Sequence, residues 1–256
     1  MFRVVVPARH DSSRLPGKVL LPIAGRSMLE WVIERARASS ADEVWVATDD
    51  ERIATVARAF GAPVVMTSPS HTSGTDRIAE AAWSQRWTAE DIIVNLQADE
   101  PLMPPTLINQ VRDLLERHAQ AALATLATPI ASLEELLDPN AVKVVTTHGE
   151  RALYFSRAPI PWDRDGAPAG LASQRSFAGA LKHIGMYAYR VRVLQRLAAL
   201  APSPLELREK LEQLRALEND FDIRVGIAAE RPGSDVNTAA DLERVRALLV
   251  RPDHLD

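Results

Sequence analysis

Short β-branched runs alternate with stretches of helical periodicity through the first half of this chain, and no other feature narrows the fold as far. Val4, Val5 and Val6 make an apolar run suited to a buried strand. Residues 28–38 then place Leu29, Val32, Ile33 and Ala36 on one helical face. The pattern repeats as a strand at 44–47, a helix at 51–60 stopped by Gly61, a strand at 64–66 and a helix at 75–87. A strand at 92–96 and a helix at 105–118, opened by Pro104 and Pro105, continue it. Such alternation predicts right-handed βαβ units around a mainly parallel sheet, the α/β class. Ligands of such sheets sit outside the carboxyl ends of the strands. The basic loop after Val6, Asp49-Asp50 and Gln97-Ala98-Asp99 all follow strands, so the pattern predicts that they line one crevice.

The second half changes character. Residues 122–128, 141–147, 152–158 and 183–190 read as strands with fewer helices between them, which predicts antiparallel additions and a projecting β-rich lobe at about 140–200. Residues 163–178 are polar, carry Gly and Pro, and read as a loop. Helices at 191–200 and 204–218, a strand at 222–229 and a closing helix at 238–250 complete the pattern. No internal repeat or interdomain linker interrupts it, so residues 1–256 are expected to form one domain bearing that lobe.

With 256 residues and 46% hydrophobic content, the chain can bury a substantial core. It has no apolar run of about 18 residues, which predicts no membrane span. The first residues enter a strand at once, without the regions of a secretion signal, and there is no cysteine, so a cytoplasmic location is expected. The formal net charge of −4 argues against a nucleic-acid partner, which needs a broad basic face. No Ser/His/Asp or Cys/His arrangement supports a covalent enzyme intermediate. Cations for a small anionic ligand must be gathered locally.

One segment gathers them. Residues 7–18, PARHDSSRLPGK, put Arg9, Arg14 and Lys18 into a loop broken by Pro7, Pro16 and Gly17 and supplied with the hydroxyls of Ser12 and Ser13. A buried strand feeding such a loop suits a polyphosphate, held by cations and backbone N–H groups; a solvated basic loop is the plainer alternative. Asp99, directly after IIVNL, can hold Mg²⁺ against a triphosphate, because Mg²⁺ takes one or two protein carboxylates alongside phosphate oxygens. A turn aspartate bonding its own backbone is the alternative. Ser73 reads as the N-cap of the 75–87 helix, and a helix N-terminus also receives polar ligand groups. His183 on a strand reads by itself as a structural hydrogen-bonder, with Tyr187 on the same face by strand alternation. Glu212 and Gln213 fall on the 204–218 helix, whose other charges read as a solvated face.

The loop and seven further strings follow the order of one family: VATDD at 46–50, SGTDR at 73–77, VNLQADEP at 94–101, NAVKVV at 140–145, LYFSRAPIPWDRD at 153–165, KHIGMYAYR at 182–190 and LEQLRAL at 211–217. Over nearly all of its length the chain resembles the 3-deoxy-manno-octulosonate (Kdo) cytidylyltransferases, a family of sugar nucleotidyltransferases. The resemblance implies a mainly parallel, Rossmann-like nucleotidyltransferase sheet with an inserted antiparallel lobe through which two subunits pair as a homodimer. It implies transfer of CMP from CTP to the anomeric hydroxyl of Kdo, releasing pyrophosphate, for lipopolysaccharide biosynthesis, with Mg²⁺ as cofactor. A cytidylyltransferase for 8-amino-Kdo or a sialic acid, and a non-catalytic nucleotide-binding relative, are the alternatives. By motif, Arg9, Ser12, Ser13, Arg14, Lys18, Ser73, Arg77 and Gln97 fall at nucleotide-binding positions. Arg157, His183, Tyr187, Glu212 and Gln213 fall at sugar-binding ones. Arg14 and Lys18, holding the leaving phosphates, and Asp99, holding the metal, fall at the catalytic positions; no side chain stands out as a general base.

The chain departs from the family at the second metal ligand. Where the family has G-V-D-T, this sequence reads Asp235-Val236-Asn237-Thr238, with Asn237 in the aspartate's place. Residues two apart on an extended segment share a side, so Asp235 can supply the missing charge. Asn237 can instead remain as a neutral metal ligand, or cap the 238–250 helix together with Thr238. These readings stand open at this level.

Overall fold

Strand β1 (Phe2–Ala8) is buried from end to end, the condition of a strand covered on both faces. The computed structural model describes residues 1–10, 15–71 and 73–249. A small hairpin, β2 (Pro22–Ile23) and β3 (Arg26–Ser27), leads into α1 (Met28–Arg37). Strand and helix then alternate through β4 (Glu43–Thr48), α2 (Glu51–Ala59), β5 (Val64–Met66), α3 (Gly74–Ser84), β6 (Ile92–Asn95) and α4 (Pro105–Arg117). The side chains of Ser27, Asp50 and Ser73 cap α1, α2 and α3, taking up N–H groups that the first helical turn leaves free. After β7 (Leu123–Pro129) come a short α5 (Leu133–Leu137), a hairpin of β8 (Lys143–Thr146) and β9 (Ala152–Ser156), and the long β10 (Leu181–Arg190). α6 (Val191–Ala198), α7 (Pro204–Glu209), α8 (Gln213–Glu218), β11 (Ile223–Ile227) and α9 (Ala239–Leu249) follow.

The sheet runs in the order β11-β7-β10-β6-β1-β4-β5. Every neighbouring pair in it is parallel except the two made by β10, which runs against β6 and β7. This is the mainly parallel α/β sheet expected, and β8 and β9 extend it antiparallel from the start of β10. Strand alternation splits the core into two layers. Val4, Val6 and Val94 meet residues of α1, α2 and α4 on one face, while Val5 and Ile93 meet α3, α6 and α8 on the other. Among the described residues no helix is long and apolar enough to cross a membrane.

The structure differs from the sequence pattern at 204–218. The expected single helix is two, broken where Lys210 turns left-handed at φ 54°. Arg215 donates from Nε and Nη2 to the two oxygens of buried Glu206, at 2.8 and 2.5 Å, and pins α8 against α7. The amphipathic period runs through the break, so only the tertiary ion pair marks it. The β2–β3 hairpin and α5 are too short to carry a period at all. Residues 163–178 form no strand or α-helix, only a 3₁₀ turn at Leu171–Ser173, in keeping with a loop.

A third apolar cluster positions the chemistry. Ile23, Met28 and Trp31 pack with Val236, Leu242 and Val245, fastening α9 onto the hairpin that follows the N-terminal loop. The Val236 N–H donates to the Asp99 carbonyl at 2.9 Å, so residues 235–237 lie along the carboxyl end of β6. Leu242 is a buried anchor of this cluster. Leu242→Ala should cost about 2–5 kcal/mol in urea denaturation and should speed amide hydrogen exchange most in residues 235–249. Unchanged exchange there would mean that other contacts hold α9.

Candidate active site

The site opens where two strands part from β10. β8 pairs with β10 at Leu181 and Lys182, and β6 pairs with it from Tyr187 onward. The edge at residues 184–186 is left to neither, and a bulge against β7 falls in the same stretch. Three cavities meet here. One of about 300 Å³ runs beside His183, Tyr187, Glu212 and Gln213. A cleft of about 930 Å³ carries Asp99, Asp235, Asn237 and Arg157. A third, of about 210 Å³, is lined by Arg9, Ser73, Gly74 and Arg77. Gln97, just past β6, lines all three.

The smallest cavity collects residues expected to bind nucleotide. Ser73 caps α3 by accepting from the Asp76 N–H at 3.0 Å. Gly74 lets the helix start come close to β1: a Cβ there would lie 3.2 Å from Pro7 Cγ. Arg77 is buried and fixed from both sides, donating to Thr67 Oγ1 at 2.5 Å and pairing with Asp49 at 3.2 Å. Asp49 and Thr67 follow β4 and β5, so strand ends hold this guanidinium in place. Gln97 donates to Asn95 Oδ1 at 3.2 Å. Ser12, Ser13 and Arg14 lie outside the described residues. The ends of their loop are joined by the Gly17 N–H donating to the His10 carbonyl at 2.9 Å, with Gly17 at φ 67°.

The cleft brings Asp99, Asp235 and Asn237 together. The Lys18 ammonium donates to Asp99 Oδ2 at 2.6 Å, to the Val236 carbonyl at 3.0 Å and to Asn237 Oδ1 at 3.4 Å. Asn237 Nδ2 donates to Asp235 Oδ2. The two side chains share one side of the segment while Val236 points into the third apolar cluster, as alternation requires. Thr238, not Asn237, caps α9: Asp241 N–H donates to Thr238 Oγ1 at 3.2 Å, and Asp241 Oδ2 accepts from the Thr238 N–H at 2.7 Å. This reciprocal box leaves the Asn237 carboxamide to the cleft. Asp235 stands at the mouth of the cleft, and desolvation there, together with Asp99, pushes its carboxyl up. Burial, with Asp99 and Asp235 nearby, raises Glu100 well above the usual carboxylate range, and its Oε2 has no hydrogen-bond partner among the described residues.

An all-oxygen set around one positive charge suits Mg²⁺. Lys18 already supplies a cation there, with a carboxylate, a carbonyl and a carboxamide oxygen about it. Among the described residues no group of three or more His, Cys, Asp or Glu side chains is placed to hold a metal ion. The donors therefore fit an ion that draws most of its shell from phosphates and water.

A row of rings runs from the core to the remaining cavity, which His183, Tyr187 and Tyr189 line. Phe155, His183, Tyr187 and Tyr189 follow one another with centroids 5.0, 5.2 and 5.8 Å apart. The Tyr187 hydroxyl is buried without a hydrogen-bond partner among the described residues. Thr125 Oγ1 lies 2.8 Å from the Met186 carbonyl, 3.0 Å from the Ile184 carbonyl and 2.9 Å from His183 Nε2. A hydroxyl has one proton and carbonyls only accept. That proton therefore goes to a carbonyl, and His183 Nε2 is the donor to Thr125, leaving Nδ1 as an acceptor. Glu212, on the break before α8, accepts from Thr75 Oγ1 at 2.8 Å. Arg157 acts as a clip as well as lining the cleft: it donates from Nε to the Glu209 carbonyl and from Nη1 to the Pro139 carbonyl, at 2.7 and 2.8 Å. Thr75, Thr125, Tyr189 and the Arg215–Glu206 pair carry no local signal of their roles; Arg215 stood within LEQLRAL but read as one more surface charge.

Burial lowers His183 to about 3. The folded state thus keeps the ring neutral while an unfolded chain takes up a proton below about pH 6.5. Its contribution to stability is present above that pH and is lost as pH falls toward 3. Nitrogen NMR should show a neutral Nε2–H imidazole with no protonation step between pH 8 and 5, and a titration near 6.5 would contradict the burial described.

Comparison with known proteins places this geometry. The cytidylyltransferase family profile matches residues 3–223. A 3-deoxy-manno-octulosonate cytidylyltransferase of Thioalkalivibrio sulfidiphilus is 53% identical over 248 residues, covering 97% of this chain and 98% of the relative. One of Halorhodospira halophila is 50% identical over 244 residues, 95% of each chain. A solved structure of CMP:2-keto-3-deoxy-manno-octonic acid synthetase complexed with CTP matches with a TM-score of 0.86 and 42% identity, over 97% of this chain and 98% of that one. A 4-diphosphocytidyl-2C-methyl-D-erythritol synthase, 14% identical with a TM-score of 0.62 over 97% of this chain and 98% of its own, shares the fold. The chain belongs to the cytidylyltransferase family, and within it to the 3-deoxy-manno-octulosonate cytidylyltransferases.

Proposed function

We propose that this protein transfers CMP from CTP to the anomeric hydroxyl of Kdo, releasing pyrophosphate, as a cytoplasmic, Mg²⁺-dependent step of lipopolysaccharide biosynthesis. The observation that carries the reading is the position of Gln97 at the junction of all three cavities. A nucleotide in the smallest, a sugar acid in the one beside His183, and the triphosphate along the acidic cleft then meet at one point. The anomeric oxygen attacks the α-phosphorus in line as the bond to pyrophosphate breaks. Such transfer asks the protein for positioning and charge neutralisation more than covalent chemistry.

Arg9, Ser73, Gly74 and Arg77 hold the nucleotide, with the N-terminus of α3 turned toward its polar groups. Lys18, with Arg14 by its place in the motif, stabilises the leaving pyrophosphate. Asp99 and Asp235 would hold the metal, with Asn237 steadying Asp235 through its Nδ2. A Mg²⁺ ion held by these residues would supply charge neutralisation for the phosphates and acidify the attacking hydroxyl, so that no separate general base would be needed. His183 Nδ1 and the Tyr187 hydroxyl, which has no partner among the described residues, suit sugar hydroxyls, as do Glu212 and Gln213. The guanidinium N–H groups that Arg157 does not spend on carbonyls suit the carboxylate. The β8–β9 lobe, which leaves Leu153 53% exposed on β9, is the proposed homodimer contact.

Pyrophosphate release measured with CTP and a panel of acids tests the substrate: Kdo should support turnover well above 8-amino-Kdo and sialic acid, and no turnover with any acid would leave a nucleotide-binding relative. Lys18→Ala should lower kcat about 10²–10³-fold, the usual effect of losing one preorganised contact to a charge that grows in the transition state; near-normal kcat would remove Lys18 from the mechanism. Asp235→Asn should raise the Mg²⁺ concentration for half-maximal activity about tenfold or more, with Asn237→Asp changing it far less. The reverse order in a magnesium titration would make Asn237 the ligand.

A further inference from the structure

Glu212 stands in the wall between two cavities, lining both the nucleotide side and the sugar side. It is a solvent-exposed residue on the rim shared by those cavities. Its neighbour across the wall is Thr75, a buried residue in the first turn of α3. Thr75 Oγ1 donates to Glu212 Oε2 at 2.8 Å, and it is the one hydrogen bond drawn to this carboxylate among the described residues. The helix does not need Thr75 for its own start, because Ser73 already caps it. Glu212 has no regular helix on its N-terminal side to fix its direction: it follows the left-handed Lys210 and stands at the N-cap of α8, where its own side chain makes no capping bond.

We infer that Thr75 is a positioning residue, whose hydroxyl holds one oxygen of Glu212 so that the other faces a hydroxyl of a polyhydroxylated acid in the sugar-side cavity. This rests on the sugar-side assignment made above. A carboxylate rotates freely about its last bond; one charge-assisted hydrogen bond from a buried donor removes that freedom. A valine at the position keeps shape and loses the donor, whereas a serine keeps the donor.

The test measures KM for Kdo, KM for CTP and kcat in Thr75→Val, Thr75→Ser, Glu212→Gln and the Val/Gln double variant, with thermal unfolding of each. Thr75→Val should raise KM for Kdo about tenfold, the scale of a lost hydrogen bond to a charged group, with KM for CTP within twofold of the parent. Thr75→Ser should restore the parent value, and the double variant should be little worse than Glu212→Gln alone. If Thr75→Val lowers the unfolding temperature markedly, Thr75→Ala gives the same comparison with no apolar methyl against the carboxylate. The inference is overturned if Glu212→Gln raises KM for Kdo while Thr75→Val and Thr75→Ala do not, if serine fails to rescue, or if KM for CTP rises equally. If Glu212→Gln itself leaves KM for Kdo unchanged, the sugar-side assignment is wrong and the inference falls with it.

Discussion

β10 is hydrogen-bonded to β7 along most of its length, to β8 at its start and to β6 at its end. A strand can satisfy only two neighbours at any residue, so β6 and β8 must part somewhere along one edge, and the opening at residues 184–186 is where they do. The cleft therefore follows from backbone pairing. His183 and Tyr187 flank the opening, and the end of β6 delivers Gln97 and Asp99 opposite them. Reversing β10 within an otherwise parallel sheet is what brings a strand start, with its distinct residues, to the edge where the parallel strands end.

Charge is organised around the same opening. Three carboxylates, Asp99, Glu100 and Asp235, crowd one wall, and Glu100 and Asp235 are shifted upward by burial first and by the neighbouring carboxylates second. Lys18 offsets part of it through Asp99. This contact joins the N-terminal loop to the end of β6 and to the segment before α9, three stretches far apart in the chain. The apolar cluster of Ile23, Met28, Trp31 and Val236 makes that meeting possible. Polar groups alone would be solvated where they stood. Burial of Val236 fixes its two neighbours toward the cleft.

On the sugar side, rigidity comes from ion pairs and hydrogen bonds among the residues that frame the cavities. The Arg215–Glu206 pair holds α8 against α7, while Glu209 accepts from Ser156 Oγ and the Arg157 N–H at 2.7 and 2.9 Å. The break between the helices is thus tied to the end of β9. Lys143, fully buried, donates to the Asp138 carbonyl at 2.8 Å and, with Arg157 on Pro139, steadies the loop that borders the cleft. Arg157 has both a framework part and donors to spare, so a binding role need not exclude a structural one.

Most elements were legible because hydrophobic periodicity is a local property. The face of α1 bearing Leu29, Val32, Ile33 and Ala36 is buried as its spacing predicts, and β5 spans the residues its β-branched run marks. The motifs carried the family, and of the residues they nominated Arg77, Gln97, Asp99, His183 and Glu212 line the adjoining cavities. What spacing could not decide lay in contacts between distant residues. Nothing near 210 announces that the helix stops, and the Arg215–Glu206 pair that packs α8 on α7 shows only in the fold. Near 237 the local cue was the Thr238-Ala239-Ala240-Asp241 spacing of a capping box, and the fold shows that this box forms and leaves the asparagine to the cleft. Thr75 and Glu212 meet across more than half the chain. The amino-acid sequence determined where the chain is strand or helix, since neighbouring side chains suffice for that; only the folded structure decided which donor meets which acceptor, since that depends on burial and on groups brought together from far along the chain.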